Sequence, residues 1–196
     1  VHTTVEDYEE ELEGLMLSEA LKTIRFWSIS ICSVIISMCI NTLMLSISPH
    51  LSDIGYSLTF SANIVALSMG SLAVGKLLLG HLYDSLGIRI ATTISCVATI
   101  CGLTALIFAK YFLALIVIII CVGIGCAFGT IANPIITQKI FGPKDYSSIY
   151  GVLSAANGLG GVIGPVLNGY FFDKTGSYIT FFIILIVLCS ITTFLY

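Results

Sequence analysis

Six stretches of this chain are long, continuous and apolar, at positions 26–48, 58–82, 90–109, 112–140, 148–172 and 178–196. Each is about long enough to cross a hydrocarbon layer ~30 Å thick, which takes roughly 20 apolar residues as a helix. A membrane-spanning strand would be about ten residues long and would alternate apolar with polar side chains. These runs do not alternate. Inside lipid an unpaired backbone N–H or C=O is strongly unfavourable, and a helix satisfies its own. The expected fold class is therefore all-α, a polytopic membrane protein of six transmembrane helices. The distribution of charge agrees. The chain is 57% hydrophobic and 10% charged, and seven of its eleven acidic residues lie within the first nineteen positions. Beyond Arg25 the acids are Asp53, Asp84, Asp145 and Asp173, all near span ends or in loops.

The pattern Gly-x₄-Gly-x₃-Asp-x₂-Gly occurs twice, as Gly75, Gly80, Asp84 and Gly87 and again as Gly164, Gly169, Asp173 and Gly176. Three crossings separate corresponding positions, so the two copies point in opposite directions. Inverted internal repeats of this kind build secondary transporters. Two inverted three-helix repeats would make half of a twelve-span carrier. Because the chain starts at Val1 without an initiator methionine and stops at Tyr196 in an apolar span, the expectation is a C-terminal half whose partner is a missing N-terminal six-helix half. Residues 1–22 are expected to form an acidic cytoplasmic linker and residues 23–196 the six-helix domain.

Orientation follows from short-loop charge. With the linker inside, Lys22, Arg25, Arg89, Lys139 and Lys144 fall on the inner side and only Lys110 and Lys174 on the outer, as the positive-inside rule requires. His50, Asp53, Asp173 and Lys174 then face outward, and the C-terminus is cytoplasmic. The expected location is the plasma membrane. Within the linker, Leu12, Leu15, Met16 and Ala20 form a partial apolar stripe, read as a solvated segment ending in a short surface helix.

Several classes are excluded. A net charge of −3 gives no reason to expect a nucleic-acid partner. The seven cysteines all lie in apolar spans without a Cys-x₂-Cys pair, which reads as packing and gives neither metal nor cofactor. No Ser/His, Cys/His or ligand cluster marks an enzyme, so no catalytic residue is expected. The glycines carry more information. Gly125 and Gly129, and Gly160 and Gly164, are small-x₃-small pairs that allow helices to approach closely in lipid. The fifth span holds more glycine than one contact needs: Gly158, Gly160, Gly161 and Gly164, with Pro165 removing a backbone donor. A helix that bends or slides during gating and a simple kink fit this pattern equally.

The loop Gly80-His81-Leu82-Tyr83-Asp84-Ser85-Leu86-Gly87-Ile88-Arg89 resembles the cytoplasmic loop signature of the major facilitator superfamily. That resemblance implies a gating motif of Gly80, Asp84, Gly87 and Arg89, with Ser85 where a basic residue is usual. Gly80 would permit close helix contact and Gly87 a tight turn. Further on, Lys144 to Gly151, Ala156-Asn157-Gly158-Leu159-Gly160 and the run from Gly164-Pro165 to Asp173-Lys174-Thr175-Gly176-Ser177-Tyr178 are similar to the eleventh helix and following loop of the oxalate/formate antiporter and monocarboxylate transporter families. The layout matches over all six spans, the motifs over the second and fifth.

Lys76 is the only basic residue well inside a span. A charge at a helix centre costs ~2.5–3.5 kcal/mol on insertion scales, so such residues face a cavity or a partner. By the resemblance, Lys76 occupies the place of an arginine that engages the substrate carboxylate. Snorkelling to headgroups is the competing reading. Asn41, Asn63, Asn133 and Asn157 fall on the first, second, fourth and fifth spans, where each should meet a helix or a cavity. Lys76, Asn41, Asn157 and Asn133 are the candidate substrate-binding set. No carboxylate lies deep in a span, so a proton carrier, where transport is proton-coupled, would sit in the missing half; anion exchange or uniport needs none. The expected function is movement of a small organic anion, a monocarboxylate or a dicarboxylate such as oxalate or formate, by alternating access. Drug efflux and a non-transporting membrane sensor are the alternatives.

Overall fold

The computed structural model describes residues 14–195, and every regular element among them is helical. They are α1 (Leu17–Ala20), α2 (Ile24–Asp53), α3 (Leu58–Ser85), α4 (Gly87–Ile107), α5 (Phe112–Cys126), α6 (Phe128–Phe141), α7 (Tyr146–Thr175) and α8 (Ile179–Leu195). Five stretches among the described residues are long and apolar enough to cross a membrane: α2, α3, α4, the α5–α6 stretch and α7. The last, α8, is a shorter apolar helix. The protein is a multi-pass helical membrane protein. The acids Glu6, Asp7, Glu9, Glu10, Glu11 and Glu13, Leu12 of the stripe, and Tyr196 lie outside the described residues.

Local chemistry sets the helix ends. Thr23 and Ser57 cap α2 and α3 by accepting from the N–H groups of Phe26 and Phe60. Gly176 stops α7 in the left-handed conformation (φ 68°), its N–H returning to Phe172 O. Two spans depart most from those expected. The first span runs on through Pro49 to Asp53, which corrects the outward-facing loop expected at His50. His50 is buried, its Nε2–H donates to Leu106 O at 2.9 Å, and its ring lies edge-on to Tyr178 and Phe182. These contacts hold the extra turn. The fourth span breaks into α5 and α6 at Ala127. Gly123, Gly125 and Gly129 lower helix propensity around the break, and Pro134 lacks a backbone donor. By contrast, α7 runs unbroken for 30 residues through its glycines and Pro165.

The repeat is visible in the packing. A Cβ on Gly160 would run into the Val34 backbone carbonyl, and one on Gly164 would lie 2.7 Å from both Met38 O and Thr42 Oγ1, so α7 meets α2 backbone to backbone. A Cβ on Gly75 would likewise run into the Gly123 carbonyl, so α3 meets α5. The fifth span is thus to the first as the second is to the fourth. The match continues: Gly80 and Gly169 meet nothing within 4 Å, Asp84 and Asp173 are exposed in the last turns of their helices, and Gly87 and Gly176 both have positive φ. The close contact expected at Gly80 is made instead by Gly75, one and a half turns earlier. Gly125 packs on Thr99, whereas Gly129 meets nothing within 4 Å.

The two corners lie at opposite ends of the bundle. Tyr56, just before α3, donates to Ala109 O in the α4–α5 turn at 3.2 Å, and the 28 residues of α3 carry the chain ~42 Å away to Asp84. Asp173 stays at the Tyr56 end, because Tyr178 just beyond it stacks on Phe172 and touches His50. At the Asp84 end, the Tyr83 hydroxyl pairs with Thr92 Oγ1 at 2.9 Å and fixes the α3–α4 corner.

The described end of the linker is docked, where a solvated segment was expected. The Leu15 N–H donates to Phe141 O and the Leu17 N–H to Asp145 Oδ2, at 2.8 and 2.9 Å. Ala20 is fully buried in a cluster with Phe26, Phe141, Ile149 and Leu153. Ser148 and the Leu17 N–H hold the Asp145 carboxyl below the usual carboxylate range.

Candidate functional site

A cavity of about 400 Å³ opens between α2 and α3, with Cys126 from the end of α5 also lining it. Two helix faces build it. On α2, Asn41, Met44, Leu45 and Ser48 recur at helical spacing; on α3, Val65, Met69 and Leu72 do the same. Lys76 continues the α3 face, one turn or ~6 Å beyond Leu72. It is half-buried and has no ion-pair partner among the described residues. The 28-residue α3 overshoots a ~30 Å hydrocarbon core by ~6 Å at each end. Lys76, nine residues before the helix end, therefore sits ~8 Å inside that boundary. At that depth its ammonium reaches along the helix to the surface, or meets an anion or water in the cleft.

The amide of Asn41 is fixed by its neighbours. Its Nδ2 donates to Ser37 O at 2.9 Å and to Ser37 Oγ at 3.2 Å. A carbonyl can only accept, so the Ser37 O contact sets the amide orientation, with Nδ2 turned back toward Ser37.

Asn133 and Asn157 are brought together elsewhere. Asn157 Nδ2 donates to Ser33 Oγ at 3.2 Å, and Ser33 Oγ donates to Asn133 Oδ1 at 3.3 Å. This chain ties α7, α2 and α6, two helical turns along α2 from Asn41. The structure therefore divides the expected set: Asn41 lines the cavity and Lys76 lies beside it, while Asn133 and Asn157 share an interhelical bond through Ser33. Asn63, expected to meet a helix or cavity, is exposed and makes no hydrogen bond among the described residues. Gly161 packs against Asn41, and Gly158 meets nothing within 4 Å.

Asp84 and Arg89 are both exposed and form no ion pair among the described residues. Close by, Ser85 Oγ donates to His81 O.

Three features escaped the sequence. Ser33 and Ser37 bond the asparagines Asn133, Asn157 and Asn41; their signal is the serine spacing of four that continues to Asn41. Asn168 is buried, donates to Ser46 Oγ at 2.9 Å, and keeps an unpaired Oδ1. It was the fifth asparagine of the spans and stands four residues after Gly164. His50 left no signal, because Pro49 reads as a helix end.

The family model described as Major Facilitator Superfamily matches residues 29–196. Monocarboxylate transporter 9 of Mus musculus is 35% identical over 111 residues, covering 54% of this chain and 21% of that protein. Monocarboxylate transporter 14 of Mus musculus is 33% identical over 61 residues, 31% of this chain and 12% of that protein. An uncharacterized 38 kDa protein in the 23S RNA operon of Thermoproteus tenax is 29% identical over 175 residues, 87% of this chain and 43% of that protein. The chain thus spans less than half the length of these curated relatives.

Proposed function

The chain belongs to the Major Facilitator Superfamily, and we propose that it forms part of a carrier that moves a small organic anion across the membrane by alternating access. The observation that carries this reading is Lys76, a cation without an ionic partner among the described residues, on the helix face that lines the α2–α3 cavity. An unpaired ammonium at that depth is offset by a bound carboxylate. The names of the two monocarboxylate transporters support the same substrate charge. In this role Lys76 binds the carboxylate as a point charge, without the two-pronged geometry arginine would give. Asn41 lines the path beside it. Asn133 and Asn157 hold α6 and α7 against α2.

Alternating access follows from the repeat. An inverted repeat with matched glycine contacts between its two three-helix units supports such a motion. Gly80, Asp84, Gly87 and Arg89 close the inner side, and the glycines from Gly158 to Gly164 with Pro165 let α7 shift along α2. The N-terminal six-helix half is supplied from outside this sequence, and with it any proton carrier. The Lys and Arg bias supports a cytoplasmic linker and C-terminus. Uptake of labelled pyruvate and oxalate by the full-length protein tests the reading. Lys76→Ala should lower organic-anion uptake at least tenfold, and Lys76→Arg should keep a measurable part of it. Undiminished uptake by Lys76→Ala removes Lys76 from the site.

A further inference from the structure

We infer that the end of the bundle where the linker docks carries a binding site for an anionic phospholipid, built between the start of α2 and the end of α6. The inference goes beyond the carrier reading and does not depend on it. A cleft of about 320 Å³ opens there, lined by Leu15 of the linker, Thr23, Ile24 and Arg25 at the start of α2, and Ile140 and Phe141 of α6. Arg25 belongs to the wall itself. Lys22 adjoins Thr23, Lys139 adjoins Ile140 and Lys144 follows Phe141 by three residues, so four of the chain's eight Lys and Arg residues stand at or beside this one cleft. All four are exposed, and none has an ion-pair partner among the described residues. The neighbouring acids are turned to backbone donors: Glu19 accepts from the Met16 N–H at 3.0 Å and Asp145 from the Leu17 N–H at 2.9 Å.

What lies beyond the cations makes the ligand a lipid rather than a free anion. Ile24, Trp27 and Ile31 recur at i, i+3 and i+7 along α2 and are 79%, 53% and 57% exposed. They form an apolar track that runs ~10 Å along the helix from the cleft. The Trp27 ring is held in place, its Nε1–H donating to Leu21 O at 2.9 Å, and an indole at this level marks the boundary between head groups and acyl chains. Cations, an indole and then aliphatic carbon repeat the polarity order of a phospholipid from phosphate to chain. Basic pockets between helix ends at a membrane surface take anionic head groups. With the phosphate on Arg25, whose fork meets two of its oxygens, an acyl chain lies over Ile24 and Ile31. A free phosphate would gain nothing from that track, and a zwitterionic lipid would bring its own cation against the four already there.

Native mass spectrometry of the full-length protein tests this by counting bound lipids during titration with dioleoyl phosphatidylglycerol or dioleoyl phosphatidylcholine. Each Lys or Arg near an anionic lipid surface is worth about fivefold in binding. The tightest-bound phosphatidylglycerol should therefore hold at least about tenfold better than phosphatidylcholine. Arg25→Gln combined with Lys139→Gln should lower that ratio about tenfold or more, whereas Lys110→Gln, at the opposite end of the bundle, should leave it within about twofold. Where the double variant does not fold, each single substitution should lower the ratio about fivefold. Excess glycerol 3-phosphate should leave the bound phosphatidylglycerol in place. Equal binding of the two lipids by the wild-type protein overturns the site, as does a preference that survives the Arg25 and Lys139 substitutions. Displacement by glycerol 3-phosphate overturns the lipid in favour of a free anion. A preference that emerges only after removal of residues 1–13 assigns the cations to the chain's own acidic segment and overturns the proposal as well.

Discussion

Replacing Gly164 by alanine sets a methyl carbon 2.7 Å from Met38 O and Thr42 Oγ1, and replacing Gly75 sets one against the Gly123 carbonyl. Ordinary contact begins near 3.4 Å, so α7 and α2 must part by ~0.7 Å at Gly164, and α3 and α5 by more at Gly75. The obstacle in each pair includes a backbone carbonyl that cannot rotate aside. Overpacking of this kind costs ~1–3 kcal/mol, offset by the ~1 kcal/mol by which alanine favours a helix over glycine. Gly80 and Gly169 are the built-in controls, since nothing lies within 4 Å of either and alanine there keeps only the propensity gain. The two substitutions within each repeat should therefore differ by ~1–3 kcal/mol. For a chain of this size that is roughly 2–4 °C in melting temperature per kcal/mol. A thiol-reactive fluorophore reads the transition in detergent, because Cys39, Cys96 and Cys189 are buried and free, while exposed Cys101 sets the baseline. Gly75→Ala and Gly164→Ala should both melt several degrees below Gly80→Ala and Gly169→Ala. Equal melting of all four would refute both the backbone contacts and the repeat they define.

Other expectations follow from the same geometry. Cysteines placed by Asp84→Cys and Asp173→Cys should react with impermeant maleimides from opposite sides of sealed vesicles, and reaction from one side would end the inverted repeat. The Asp145 carboxyl is held below its usual range by Ser148 and the Leu17 N–H, so the docked segment should keep this support above the ordinary carboxylate value near pH ~3.9. It should lose the support only as pH falls through the lower folded value. Amide exchange at Leu17 should thus stay slow at pH 5 and pH 7 in the native protein and quicken at neutral pH in Asp145→Ala; unchanged exchange in that variant would show that Asp145 does not hold the segment.

How much could be read in advance depends on whether a feature is local to the chain. Apolar runs of spanning length, the glycines that end α3 and α7 with positive φ, and the repeated glycine–aspartate spacing all depend on residues within a few turns of one another. The sequence alone was enough to establish a helical membrane protein, the positions of most spans and the repeated corner. It did not show which way each helix is turned about its axis. A rotation of about 100° separates neighbouring residues, so Gly80 and Gly75 look equivalent in a linear reading, and only Gly75 meets another backbone. The asparagines were equally ambiguous. In the sequence Asn41, Asn63, Asn133 and Asn157 are alike, whereas the folded bundle commits Asn133 and Asn157 to Ser33, points Asn63 outward and leaves Asn41 on the cavity wall. His50 was decided by packing too, since the extra turn after Pro49 is held by Leu106, Tyr178 and Phe182, all more than fifty residues away along the chain. Hydropathy and turn chemistry belong to the chain itself; partners for buried polar groups arise only once helices distant in sequence are pressed together, because lipid offers those groups nothing else to bond.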